Sequence, residues 1–143
     1  MASKASAVWT GALKEGKGTI STATGALKNA NYSFATRFEG ATTGTTPEEL
    51  IAAAHASCYS MALSHQLDSA GFKPERVETH AAVTLAKTDS GFSVTKIALT
   101  TKAKVTGASK QDFDKAAADA KTGCPISKLF ANNTEITLDA TLE

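Results

Sequence analysis

Two cysteines, Cys58 and Cys124, with one histidine near the first, His55, are the side chains of this 143-residue chain best suited to covalent chemistry. The thiolate, not the thiol, is the nucleophile and the metal ligand, so each cysteine is judged by what could hold its negative charge. Cys58 lies eleven residues beyond Pro47 in a helical segment, about 16 Å from the helix start at about 1.5 Å per residue. Its own helix dipole does not reach it, and without a nearby cation it is a small buried hydrophobe. Cys124 follows Gly123 and precedes Pro125, which places it at a helix N-cap where backbone N–H groups favour a thiolate; otherwise it is a loop cysteine of no consequence. His55, three residues before Cys58 on the same face, allows a Cys–His pair or two metal ligands. A metal site needs more ligands, and His65 and His80 have no partner at ligand spacing, so neither metal nor cofactor is expected.

The remaining local patterns are weaker. Gly11-x-x-x-x-Gly16-Lys17-Gly18 nearly matches a phosphate-binding loop, but Gly18 stands where Ser or Thr is required and a strand follows. Sequons at Asn31 and Asn132 carry no meaning without secretion. Arg37, in Thr36-Arg-Phe-Glu-Gly40, would ordinarily be a solvated surface charge, and Glu48 has no local duty beyond the helix dipole.

Fifteen basic against fourteen acidic residues leave a net charge of +1 with no like-charge block longer than two residues, which excludes a nucleic-acid or anionic-membrane footprint. A composition 42% hydrophobic and 20% charged is that of a folded globular chain, and the length predicts one domain over residues 1–143. No apolar run reads as a signal peptide or a membrane span, and two cysteines are too few for a secreted disulfide framework; a cytoplasmic location is expected.

These residues must be positioned by a small set of elements. Three short strands are predicted over 7–11, 18–23 and 32–38. Thr46-Pro47-Glu48-Glu49 is a capping box, with Glu49 reaching back to the Thr46 amide, and opens a long central helix over 47–70 on which Leu50, Ala54, Cys58, Met61 and His65 recur at helical spacing. Alternation over 77–85 and 92–101 about Asp89-Ser90-Gly91 predicts a β-hairpin, with a bulge near Thr95-Lys96 where the apolar phase slips. Ser109 caps a helix ending before Gly123, Cys124-Pro125 opens a short helix to about 131, and 136–142 is a terminal strand. The class is α+β in the order βββ-α-ββ-α-α-β.

Thr36-Arg-Phe-Glu-Gly40, Thr46-Pro-Glu-Glu-Leu50, Ala52-Ala-Ala-His-Ala-Ser-Cys58 and Thr122-Gly-Cys-Pro-Ile126, in that order along nearly the whole chain, resemble the OsmC/Ohr family, and its OsmC branch more than its Ohr branch. The resemblance implies a cysteine-based peroxidase of osmotic and oxidative stress defence, an intertwined homodimer that reduces organic hydroperoxides and hydrogen peroxide at the expense of a dihydrolipoamide-like or other dithiol. It assigns Cys58 as the peroxidatic cysteine, Cys124 as the resolving cysteine and Glu48 as the active-site glutamate. In the Ohr branch the activating arginine comes from an earlier segment; here that segment holds only lysines, which leaves Arg37 for the role.

The assignment is chemically coherent. A guanidinium oriented by a carboxylate lowers a thiol pKa and polarises an O–O bond, and a second thiol condenses with the sulfenic acid before over-oxidation. A Cys58–His55 hydrolase or acyl transferase and a non-catalytic redox sensor remain the alternatives, separated by turnover. One geometric consequence follows from the helix. Glu48 and Cys58, ten residues apart, are separated by about 15 Å along the axis and about 80° around it. If both serve one site, Glu48 comes from a second chain whose helix runs antiparallel across a two-fold axis.

Overall fold

On either side of Asp89-Ser90 the alternating residues pair as a long antiparallel hairpin, β4 (Lys73–Thr88) with β5 (Gly91–Thr106). Gly91 holds φ at 106°, a conformation the tight reversal needs and that favours glycine. Thr84 faces Lys96 and Leu85 faces Val94, so Thr95 is the extra residue of a bulge where the apolar phase slips. The computed structural model describes residues 1–143, and its contacts divide into two compact units, Met1–Leu50 and Ile51–Glu143.

In the second unit, β6 (Glu135–Leu142) lies parallel to β5, giving the strand order β4-β5-β6. Parallel neighbours need a crossover, which α3 (Lys110–Gly123) and α4 (Pro125–Phe130) supply. Ser109 caps α3 in a reciprocal capping box with Asp112, and Phe113, Ala116, Ala117 and Ala120 form its buried face.

The central helix, α2 (Pro47–Ser69), buries His55, Tyr59, Leu63 and Leu67. This stripe is not the one its periodicity predicts: Ala54 and His65 are exposed and Met61 is 76% exposed. Apolar and small residues surround the helix, so volume decides the face, and the i, i+4 row of Tyr and Leu fills more space than alanine does. Tyr59, Leu63 and Leu67 pack with Ile97, Leu99 and Ala103 of β5 and the apolar face of α3 into one core.

The first unit holds a three-stranded antiparallel sheet, β1 (Ala5–Thr10), β2 (Lys17–Thr22) and β3 (Ala30–Tyr32). Gly18 pairs with Tyr32, and a Cβ there would overlap the Tyr32 ring, so the glycine that breaks the phosphate-loop pattern is needed for sheet packing. The third strand ends at Tyr32, where the strand expected over 32–38 was to begin. Residues 34–38 form a helix, α1 (Phe34–Phe38), because Ser33 accepts from the Thr36 amide while Thr36 Oγ1 accepts from the Ser33 amide. Phe34 and Phe38 then fall one turn apart with ring centroids at 4.9 Å. The α+β order stands with this one added helix.

Candidate active site

Cys58 and Cys124, 66 residues apart in the chain, meet in the second unit with their sulfurs 2.9 Å apart in a thiol–thiol hydrogen bond. Both are free thiols; Cys58 is part-exposed and Cys124 fully buried. Cys124 ends α3 and is the N-cap residue of α4, with Pro125 in the first turn, as its neighbours predict. Its sulfur makes no cap hydrogen bond, however. It turns into the interior toward α2, and the backbone N–H of Ile126 acts on Cys58 instead. The helix terminus expected to favour a Cys124 thiolate therefore serves the other cysteine, from a different helix than its own.

That help is outweighed within this unit. Burial pushes the Cys58 thiol up, the neighbouring Cys124 thiol pushes it further, and the Ile126 amide alone acts downward. None of these groups is a cation, so a thiolate at Cys58 needs a positive charge from elsewhere.

His55 does not pair with Cys58. Its Nε2 lies 2.8 Å from the hydroxyl of Ser127, a residue with no distinguishing signal in the sequence, and its Nδ1 is buried without a partner. Burial holds the His55 pKa below the ordinary imidazole value, so the ring is neutral at neutral pH. Tyr59, next to Cys58, is likewise held protonated by burial, with Cys124 adding to the effect, and its hydroxyl donates to the Ala117 carbonyl at 3.1 Å.

Arg37 and Glu48 meet in the first unit. Arg37 sits in the last turn of α1 rather than at a strand end, and its guanidinium donates through Nε to Glu48 Oε1 at 3.0 Å and through Nη2 to the same oxygen at 2.6 Å, with Oε2 3.3 Å from Nε. Glu48 is 8% exposed. The capping segment is thus divided between two tasks. Thr46 Oγ1 accepts from the Glu49 amide at 3.0 Å, but the Glu49 carboxylate takes the Thr45 hydroxyl at 2.7 Å in place of the Thr46 amide, while Glu48 orients the arginine. A fixed, planar guanidinium of this kind suits a small polar oxygen substrate. Beside it, Trp9, Leu13, Tyr32, Phe34 and Phe38 line a largely apolar cavity of about 220 Å³. No group of three or more His, Cys, Asp or Glu side chains is gathered as a metal site, and no helix is long and apolar enough to cross a membrane.

Two free thiols thus meet beside a helix-terminal amide, and relatives place the chain in a family. The family model described as OsmC-like protein matches residues 39–139, and the chain belongs to that family. It is 51% identical over 140 residues to Peroxiredoxin OsmC of Escherichia coli strain K12, covering 98% of this chain and 96% of that one. It is 33% identical over 97 residues, 66% of each chain, to the organic hydroperoxide resistance protein OhrA of Bacillus subtilis strain 168. A crystal structure of an organic hydroperoxide resistance protein OsmC from Legionella pneumophila superposes with a TM-score of 0.74 at 26% identity, covering 98% of this chain and 97% of that one.

Proposed function

We propose that the chain is a thiol-dependent peroxidase of organic hydroperoxides in which Cys58 is peroxidatic, Cys124 resolving, and Arg37 with Glu48 the activating pair. The observation that supports this best is the 2.9 Å approach of two free thiols, one part-exposed and one buried. The Cys58 thiolate attacks the terminal peroxide oxygen; the O–O bond breaks, the alcohol leaves with a proton, and Cys58 becomes a sulfenic acid. The Cys124 thiol then attacks that sulfur, forming the disulfide and releasing water. An external dithiol, dihydrolipoamide-like, reopens the bridge at the sulfur of the part-exposed Cys58 and leaves as its own disulfide. The apolar cavity beside Arg37 suits the organic part of the substrate, and hydrogen peroxide is a second substrate.

The site is assembled from two copies of the chain. Helix geometry keeps Glu48 and Cys58 about 15 Å apart along α2, so the partner's Glu48 and Arg37 complete each site. Both faces of β1 are exposed, with Val8 at 60%, and Ala53, Ala54, Ser57 and Met61 leave one side of α2 open; a second copy covers surfaces of this kind. Each protomer is one functional domain, and it works in the cytoplasm, where free thiols persist. The Cys–His hydrolase reading loses its base, because His55 is engaged by Ser127.

Steady-state consumption of cumene hydroperoxide with dithiothreitol or dihydrolipoamide tests the reading: sustained turnover supports it, whereas one stoichiometric oxidation without turnover makes the pair a sensor. Arg37→Ala isolates the activating charge. Since nothing acting on Cys58 within its own unit is cationic, this change raises the Cys58 pKa and moves the attack-rate profile to higher pH, with about a tenfold loss of rate at neutral pH for every tenfold fall in the thiol's acidity. A thiolate absorbance titration unchanged from the parent would assign activation to another group.

A further inference from the structure

His55 and Ser127 occupy mirrored positions about the two cysteines: His55-Ala-Ser-Cys58 on α2, and Cys124-Pro-Ile-Ser127 across the start of α4. Each lies one helical turn from its cysteine. The sulfur contact of 2.9 Å and the His55 Nε2–Ser127 Oγ hydrogen bond of 2.8 Å therefore join the same two helices side by side. His55 is 0% exposed and Ser127 3%. Because Nδ1 has no partner, this is the imidazole's single hydrogen bond, and removing Ser127 leaves a buried polar ring with none. Phe130, a further turn along α4, places its ring centroid 6.4 Å from that of His55. Helix α4 has only six residues and no side-chain cap, so its own hydrogen bonds hold it weakly; Cys124 is fixed on one side by α3, whose Ala120 carbonyl accepts from the Cys124 amide at 2.9 Å, and on the other by the contacts of α4 with α2.

We propose that the His55–Ser127 hydrogen bond is a positioning device for disulfide closure, holding α4 against α2 so that the Cys124 thiol stays aligned with the Cys58 sulfenic sulfur. The inference rests on the peroxidatic and resolving roles given above. Closure joins the two sulfurs, expels the sulfenic hydroxyl and releases it as water with the Cys124 proton; it consumes no other reactant, so its rate is governed by alignment. When alignment is lost, the sulfenic acid waits, and a second hydroperoxide converts it to sulfinic acid with release of alcohol. His55 and Ser127 thus act on the partition between closure and over-oxidation, not on the first attack.

The test separates these steps by rapid mixing of reduced protein with one equivalent of cumene hydroperoxide, at a pH where attack has reached its plateau so that any change in the Ile126 amide's effect on thiolate content drops out. In Ser127→Ala and His55→Leu, sulfenic acid forms at close to the parental rate, closure slows by about tenfold or more, the dimedone adduct increases, and a second equivalent of hydroperoxide, added before closure, yields more sulfinic acid than in the parent. The double variant is no slower than either single one, because both remove one bond. His55→Gln, which keeps a hydrogen-bonding group near the Nε2 position, recovers most of the closure rate. Parental closure in Ser127→Ala, additive slowing in the double variant, or Gln no better than Leu would overturn the proposal. Should His55→Leu fail to fold, Ser127→Ala against Ser127→Thr decides it, since threonine restores the hydroxyl. A parent that forms no sulfenic acid overturns the underlying peroxidase reading, an outcome distinct from normal sulfenic acid with undisturbed closure.

Discussion

Cys58→Ser loses hydroperoxide turnover to the uncatalysed background, whereas Cys124→Ser still reacts once and then stalls. A serine hydroxyl does not ionise at neutral pH and cannot supply the nucleophile, so the first substitution removes the bond-forming atom. The second leaves that atom in place and removes its rescue. Cys58 of Cys124→Ser accumulates as a sulfenic acid that dimedone traps and that excess hydroperoxide drives on to sulfinic acid. The asymmetry follows from exposure: the two sulfurs touch, yet Cys58 is part-exposed and Cys124 is sealed in the core. Steady-state rates combined with intact-mass analysis of both variants measure it. Equal turnover in Cys58→Ser and the parent would reject the assignment.

Glu48→Ala and Cys58→Ser protomers, each defective alone, recover activity when refolded together. Glu48 orients Arg37 through a doubly bonded carboxylate, so Glu48→Ala leaves the guanidinium unheld and lowers turnover by about a hundredfold, in line with misplacement of a catalytic group. Ten residues of helix forbid Glu48 from reaching the Cys58 of its own chain. A mixed dimer then contains one site with both Glu48 and Cys58 intact and one with neither. Activity in isolated heterodimers near half the parental value supports shared sites. Inactive heterodimers, or a fully active monomer by sedimentation, would refute them.

Much of this arrangement is legible in the sequence because its strongest local signals lie beside the chemistry. Thr46-Pro47 and Ser109 mark where two helices begin, Cys124-Pro125 marks a third, and the phase slip between Val94 and Ile97 marks the bulge that leaves Thr95 unpaired. What is not legible has physical causes. The aromatic-rich segment after Tyr32 fits a strand by composition, and the box that makes it a helix uses Thr36 where Glu or Gln is the usual signal. The buried face of α2 is set by the volumes of Tyr59, Leu63 and Leu67, not by an apolar stripe, since small or apolar residues occur all round. Glu48 shows no partner in sequence because Arg37 reaches it only after α1 has turned the chain. His55 and Ser127 are 72 residues apart, and only the crossover from β5 through α3 and α4 brings them together. The matched spacings of His55 to Cys58 and of Cys124 to Ser127 are plain in the sequence, but they acquire meaning only once the sulfurs are known to meet.

The decisive measurement is to titrate the reduced protein with one equivalent of cumene hydroperoxide, with no external thiol, and to follow free thiols, intact mass and the disulfide-linked peptides. The account predicts loss of both thiols of the chain, a mass lower by two hydrogens, one equivalent of cumyl alcohol, and a single linked pair joining Cys58 to Cys124. Retention of both thiols after the hydroperoxide has been consumed, or a stable oxidised Cys58 beside an unreacted Cys124 in the parent protein, would contradict it.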